Sequence, residues 1–155
     1  MNLRGITVSF FGHRRINNTS DLEYKLEGII SELILHNEYV EFLVGRNGDF
    51  DTIVSSVIRR CKRAIRDDNS ALVLVLPYST AEYRDNKVAF SEYYDEIEIC
   101  DFSSDMYFKA AYQARNRTMV DRSDIVFFYV EHSFGGAYMT MRYADQIGVK
   151  CVNIT

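Results

Sequence analysis

The stretch DIVFFYVEHSFGGAY, residues 124–138, decides the fold class of this chain. Its first half is a continuous run of β-branched and aromatic residues, which predicts a strand buried on both faces. Gly135 and Gly136 follow, and apolar residues then recur at helical spacing up to Gly148, with Ser133 as the predicted N-cap and Gly148 as the C′ residue. A buried strand, a glycine turn and an amphipathic helix in this order indicate one unit of a parallel sheet.

The same alternation of strand and helix recurs along the rest of the chain. Strands are predicted at 6–11, 40–44, 71–76, 124–130 and 149–154. Helices are predicted from the capping box at Ser20, from Phe50 to about Arg66, and from Asp105 to Val120. The pattern predicts a single domain over residues 1–155, with a Rossmann-like, doubly wound α/β fold. Its sheet is expected to be mainly parallel, of about five strands, with helices on both faces.

The segment from Tyr78 to Ser104 has the least regular pattern. It is rich in tyrosine and charge, and a short helix is predicted near Lys87–Tyr94. Because long irregular segments within a compact domain are usually functional, we interpret this one as a candidate lid or interface.

Composition excludes several classes of protein. No apolar run has the roughly 18–20 residues of a membrane span, and no signal peptide is recognisable, which predicts a cytoplasmic protein without membrane contact. The three cysteines are widely spaced and form no CxxC pair, so the sequence indicates neither a disulfide framework nor a zinc site. No metal or cofactor is expected. The net charge of −4 opposes general affinity for nucleic acid.

Ligands of open parallel sheets bind outside the carboxyl ends of the strands. Three predicted loops at that edge carry glycine and polar residues: Gly12, His13, Arg14 and Arg15; Gly45, Asn47 and Gly48; Glu131, Ser133, Gly135 and Gly136. A glycine pair at a helix start lets phosphate approach bare amides, although the same pair also permits a simple tight turn. The first-loop arginines are either phosphate ligands or a solvated pair. His13 either donates to a ligand or caps the strand end.

Further candidate site residues lie outside the three glycine-containing loops or have a different expected role. Arg115 and Arg117 precede the fourth predicted strand and would close over a phosphate, unless they occupy an exposed helix face. Glu131 is the candidate catalytic residue if the protein is an enzyme. The basic run Arg59–Arg66 resembles a nucleic-acid patch, but Cys61 and Ile65 belong to the apolar stripe of the helix, which favours a solvated helix end.

Four blocks carry a family resemblance: FGHR at 11–14, VGRNGDFD at 44–51, RNRTMVD at 115–121 and EHSFGGA at 131–137. Together they resemble the small bacterial and phage-associated branch of the SLOG superfamily, over nearly the whole chain. That superfamily comprises Rossmann-like relatives of the Lonely Guy phosphoribohydrolases and of DNA processing protein A. The resemblance implies a nucleotide-derived ligand and a homodimer.

One motif departs from the Lonely Guy pattern. Arg115 falls where those enzymes carry an arginine, and Gly135 and Gly136 match the first two glycines of their glycine-rich motif. Tyr138, Met139 and Arg142 stand where the third glycine, the threonine and the catalytic glutamate would be. The resemblance therefore implies a phosphate cradle without that glutamate.

Three functions follow from these observations. The leading hypothesis is binding or sensing of a nucleotide-derived phosphorylated ligand. The alternatives are an N-glycosidase-type hydrolase that uses Glu131, and a DNA-binding protein that acts through Arg59–Arg66.

Overall fold

The computed structural model describes residues 5–102 and 105–155. Within them, six strands form one parallel sheet: β1 (Gly5–Gly12), β2 (Tyr39–Val44), β3 (Ser70–Leu76), β4 (Glu96–Ile99), β5 (Ile125–Tyr129) and β6 (Lys150–Asn153). The helices are α1 (Thr19–His36), α2 (Asp49–Ala64), α3 (Ala81–Asp85), α4 (Lys87–Tyr93), α5 (Phe108–Asp121) and α6 (Gly136–Ile147).

The strand order β4-β3-β2-β1-β5-β6 is that of a doubly wound sheet. The chain moves outward from β1 to β4 and then returns to place β5 on the other side of β1, so the winding direction reverses between β1 and β5. The predicted Rossmann-like class is confirmed, with one strand more than the expected five. That strand, β4, is a short edge strand of sequence EIEI, and its alternating glutamates hide the apolar signal of a buried strand.

Alternate residues of each strand face opposite layers of the core. On β1, Phe10 packs in the layer covered by α1 and α2, while Phe11 packs in the layer beneath α5 and α6. Each ring stacks on its register partner in β5, with centroid distances of 5.6 Å for Phe10–Phe127 and 5.7 Å for Phe11–Phe128. These pairs join the two strands at the reversal point, where the ligand crevice of such a fold opens.

Two predicted helix starts are wrong. The N-cap of α1 is Asn18, whose side chain accepts the N–H of Asp21 at 3.2 Å, so Ser20 lies inside the helix. The N-cap of α6 is Gly135, without a side-chain cap, and not Ser133. The predicted C′ residue Gly148 is confirmed, because it adopts the left-handed conformation with φ of 80°.

The tyrosine-rich segment is a packed part of the domain. The predicted short helix is confirmed as α4, and Phe90 and Tyr94 are buried in the core. Arg46 holds both, with its guanidinium 4.6 Å from the Phe90 ring centroid and its Nη1 donating to the Tyr94 hydroxyl at 3.0 Å. The last two residues of the segment, 103 and 104, lie outside the described residues.

The following helix, α5, begins at Phe108, three residues later than predicted. No helix in the described ranges has the length and apolar character that crossing a membrane requires.

Candidate functional site

A cleft of about 780 Å³ opens at the carboxyl ends of the strands, where β1 and β5 meet. The loops after β1 and β2, the first half of α5 and the start of α6 line it. Of the predicted site residues, it is lined by Gly12, His13, Arg14, Arg15, Gly45, Asn47, Arg115, Gly135 and Gly136. The structure therefore brings nine of the predicted residues together at one cleft.

Four predicted residues do not line the cleft: Gly48, Arg117, Glu131 and Ser133. Arg117 lies over the Tyr143 ring at 5.2 Å, on the flank of α5 that faces α6. Glu131 is exposed and interacts with Tyr129, whose pKa it raises in addition to the larger effect of burial. Glu131, the candidate catalytic residue, therefore does not line the cleft.

Gly48 has a structural role. A Cβ at this position would lie 2.6 Å from Arg14 Cα, and the next residue, Asp49, donates its N–H to the Arg14 carbonyl at 2.8 Å. The absent side chain lets the loops after β1 and β2 touch. Gly48 thereby places Arg14 at the cleft and does not face the ligand space itself.

The first half of α5 forms a wall that the sequence prediction missed, apart from Arg115. The helix contributes Phe108, Lys109, Tyr112, Gln113, Arg115 and Asn116. These positions recur at spacings of three to four residues and therefore share one helix face. Because Arg115 was already a predicted site residue, the residues three to four positions from it on α5 could have been predicted from the sequence to line the same site. Asp51, His132, Phe134 and Met139 were also missed as lining residues.

Arg115 is a buried residue whose hydrogen bonds connect several of the elements around the cleft. Only 2% of it is exposed, and its Nη1 donates to the Val75 carbonyl at 3.0 Å. Its Nε donates to Asn116 Oδ1 at 2.9 Å. With the Asn47 amide turned so that both of its polar atoms have partners, Arg115 Nη2 also donates to the Asn47 side-chain oxygen at 2.9 Å. Burial lowers the pKa of Arg115, and the charge of Asp51 opposes that effect. The guanidinium ties the end of β3 to α5 and to the loop after β2.

The same network continues to the start of α6. Asn116 Nδ2 donates to Thr140 Oγ1 at 3.0 Å, and Thr140 Oγ1 donates to the Gly136 carbonyl at 2.8 Å. A chain of hydrogen bonds therefore connects Arg115 to the first residue of α6. Because Arg115, Asn116 and Gly136 line the cleft, these bonds connect the α5 side of the cleft to the start of α6.

The N-terminus of α6 presents bare backbone to the cleft. Gly135 has φ of +93°, a conformation that favours glycine, and a Cβ at Gly136 would meet no atom within 4 Å. The first helical bond runs from Met139 N to the Gly135 carbonyl, so the N–H groups of Gly136, Ala137 and Tyr138 precede it. These amides and the helix dipole favour an anion at this point.

Three cations face the same space. Arg14, Arg15 and Lys109 line the cleft and form no ion pair with any residue in the described ranges. Together with Arg115 they outnumber the one acid among the described lining residues, Asp51. The cleft is therefore positive on a chain whose net charge is −4.

A stack of three rings borders the cleft. His132 lies between His13 and Phe134, with centroid distances of 3.8 Å on both sides. His13 Nε2 accepts the backbone N–H of Glu131 at 2.8 Å, which requires a neutral ring with its proton on Nδ1. The stack joins the ends of β1 and β5 and leaves Phe134 67% exposed.

The neutral state of His13 makes stability depend on pH. Burial lowers the pKa of His13, and His132 lowers it further, while Glu131 raises it. A folded pKa below the unfolded value means that the folded state binds fewer protons, so stability is lost as the pH falls through the folded pKa. We expect the free energy of unfolding to fall more between pH 7.5 and pH 5 in the wild type than in His13→Gln.

Urea denaturation at both pH values measures this difference. His36→Gln is the control, because its 3.0 Å pair with Glu32 is exposed on both sides and should change the pH dependence by less than about 0.5 kcal/mol. Parallel profiles for the wild type and His13→Gln would show that the Glu131–His13 hydrogen bond does not make stability depend on pH.

The basic run 59–66 lies at the opposite end of the sheet, because α2 starts near the cleft and runs away from it. Several of its side chains have partners within the chain. Arg59 lies 4.1 Å from the Tyr93 ring centroid, and Lys62 is buried with its Nζ donating to the Ser70 carbonyl at 2.5 Å. The run therefore contributes nothing to the cleft.

A second cavity, of about 860 Å³, lies along α1 and includes Tyr24, Gly28 and Ile29. It is remote from the glycine loops. Its lining is mainly apolar, and nothing in it resembles the paired glycines and cations of the cleft.

The comparisons with known proteins concern the fold. No family model and no curated protein matches the chain. DNA processing protein A from Helicobacter pylori, a protein studied for its single-stranded DNA binding mode, superposes with a TM-score of 0.67 and 18% identity. The match covers 94% of this chain and 63% of that one. DNA processing protein A from Streptococcus pneumoniae superposes with a TM-score of 0.70 and 15% identity, over 96% of this chain and 50% of that one.

The chain thus spans between half and two thirds of the length of these structures. At such identities the likeness concerns architecture and carries no function with it. The chain therefore has a Rossmann-like fold, the architecture that it shares with these two structures.

Proposed function

We propose that the cleft binds a nucleotide or another nucleotide-derived phosphorylated ligand, with its phosphate at the N-terminus of α6. One observation carries the proposal. The uncapped, glycine-lined start of a 12-residue helix faces Arg14, Arg15 and Lys109, which have no ion-pair partner in the described chain. Free amides, the helix dipole and guanidinium groups are the components of phosphate sites.

The size and lining of the cleft suit such a ligand. Its volume of about 780 Å³ lies within the range of roughly 300–1,000 Å³ that is usual for small-molecule sites. Phe108, Phe134 and Met139 line it with half or more of their surface exposed, which gives a base an apolar contact. Phe134 and Met139 flank the glycine pair, whereas Phe108 lies on α5, so the base is placed against Phe108 and the phosphate at the start of α6.

Gly136→Val tests the phosphate position. The added side chain enters open space, so the fold should be retained, but it would cover the amides at the start of α6. We expect affinity for nucleoside 5′-monophosphates, measured by calorimetry, to fall by about 10- to 100-fold, the range for hydrogen bonds to a charged group.

Gly28→Val is the matched control, because a Cβ at Gly28 on α1 also meets nothing within 4 Å. It should leave affinity unchanged. A folded Gly136→Val protein with wild-type affinity would remove α6 from the binding site.

Binding of single-stranded DNA is the second candidate function. It is favoured by the fold shared with DNA processing protein A and by a cleft that combines cations with exposed rings, as single-strand sites do. Fluorescence anisotropy with a labelled oligonucleotide at several salt concentrations tests it. Affinity that falls steeply with salt, and that Lys109→Gln weakens while Arg117→Gln does not, would support DNA as the partner.

Hydrolysis has less support. Glu131 is outside the cleft, and Arg142 stands where the Lonely Guy enzymes carry their catalytic glutamate. Cleavage of a glycosidic bond builds positive charge on the sugar, which an arginine would oppose. We therefore do not extend the proposal to a hydrolase. The homodimer that the resemblance implies stays a prediction, which sedimentation analysis would test.

A further inference from the structure

Asp51 is unexpected in a site for phosphate. It is the one acid among the described lining residues, and its carboxylate repels an anion in the same cleft. It lies in the first turn of α2, half-buried, and its Oδ2 accepts the N–H of Asn47 at 2.8 Å. A carboxylate has about four acceptor positions, so this single bond leaves most of them unused.

Arg115 does not use those positions. Both side chains reach the space beside Gly45, where a Cβ would lie 2.9 Å from Arg115 Nη1 and 3.0 Å from Asp51 Oδ2. They form no ion pair with each other at the usual limit of 4.0 Å between nitrogen and oxygen. The donors of Arg115 bond instead to Val75, Asn116 and Asn47. The acceptor capacity of Asp51 is thus free for a ligand.

Burial adds a reason to expect a donor at this place. It raises the pKa of Asp51, while Arg115, the Asn47 N–H and Arg14 act in the opposite direction. A half-buried carboxylate that has lost water gains from each hydrogen-bond donor that replaces the water. A hydroxyl supplies such a donor without adding charge.

We propose that Asp51 binds the ribose hydroxyls of the ligand and so selects ribonucleotides over 2′-deoxyribonucleotides. This inference rests on the proposed nucleotide function. The cis-diol of ribose offers two O–H donors to one carboxylate, and the sugar connects the base to the phosphate. With the base against Phe108 and the phosphate at the start of α6, the sugar between them needs a polar partner, and Asp51 is the one carboxylate among the described lining residues.

Calorimetry with ribonucleoside 5′-monophosphates and their 2′-deoxy counterparts tests the proposal in the wild type. We expect the ribonucleotides to bind about 10- to 100-fold more tightly, as one or two hydrogen bonds to a charged group would give. In Asp51→Asn this preference should fall to within about threefold, because a neutral amide is the weaker acceptor. Glu92→Gln, an exposed change on α4, is the control and should keep the full preference.

The outcomes separate the two proposals. Equal wild-type affinity for both sugar types would overturn the role of Asp51 and leave nucleotide binding standing. A ribose preference that persists in Asp51→Asn would assign it to another residue. If no monophosphate binds the wild type at all, the proposed function fails and the role of Asp51 fails with it.

Discussion

Arg115→Met should lower the free energy of unfolding by at least about 3 kcal/mol, since three hydrogen bonds are lost and each buried group left unpaired costs about 1–3 kcal/mol. Methionine fills much of the space but donates to none of the three acceptors: the Val75 carbonyl, Asn116 Oδ1 and the Asn47 side-chain oxygen. Asp51 also loses the nearest buried positive charge that opposes its burial. Chemical denaturation followed by circular dichroism measures the loss.

Arg117→Met is the matched control, on the same helix two residues away. The Arg117 side chain is exposed and contacts the Tyr143 ring, so its removal should change stability by less than about 1 kcal/mol. Comparable losses in the two variants would mean that the buried network of Arg115 does not stabilise the fold. A stable Arg115→Met protein that only binds ligand less tightly would instead make Arg115 a direct phosphate ligand.

Gly12→Ala should destabilise the protein nearly as strongly. A Cβ at this position would lie 2.2 Å from Cγ of Phe50, and that ring is fully buried and has no free space to enter. Overpacking of this kind costs typically about 1–3 kcal/mol and occasionally more. We expect a loss at or above the top of that range, because the contact involves three ring atoms at the end of β1.

A second change tests the cause of that loss. Phe50→Leu removes part of the ring, so the double variant with Gly12→Ala should be more stable than the sum of the single losses predicts. Gly28→Ala is the control for adding a methyl group: it lies on α1 in open space and should raise stability by up to about 1 kcal/mol. Strict additivity of Gly12→Ala and Phe50→Leu would place the strain elsewhere.

The binding and stability predictions separate two kinds of cleft residue. Gly136, Lys109 and Asp51 face open space or half-open surface, so changes there should alter affinity more than folding. Gly12 lies against the buried Phe50 ring and Arg115 is buried in a hydrogen-bond network, so changes there should alter folding first. Thermal stability measured beside each binding constant shows which case applies.

Local patterns in the sequence were enough to predict the architecture. The run 124–130 and the apolar stripes of the helices report on burial directly, because neighbours in a strand or helix lie close in space whatever the rest of the chain does. The glycine loops followed from the same logic, since parallel strands bring their carboxyl ends to one edge. The strand β4 was not predicted, because a four-residue segment with two glutamates lacks the apolar pattern by which strands are recognised in a sequence.

The chemistry of the cleft was decided by the tertiary structure. Arg115 and Arg117 are two residues apart and look alike in the sequence, yet one is buried in a network and the other lies outside the cleft, because a helix turns about 200° over two residues. Glu131, the acid predicted from the sequence, lies outside the cleft, whereas Asp51, which was not predicted as a site residue, lines it. Which of two acids faces the cleft depends on how loops distant in the chain pack together, and no local pattern contains that information.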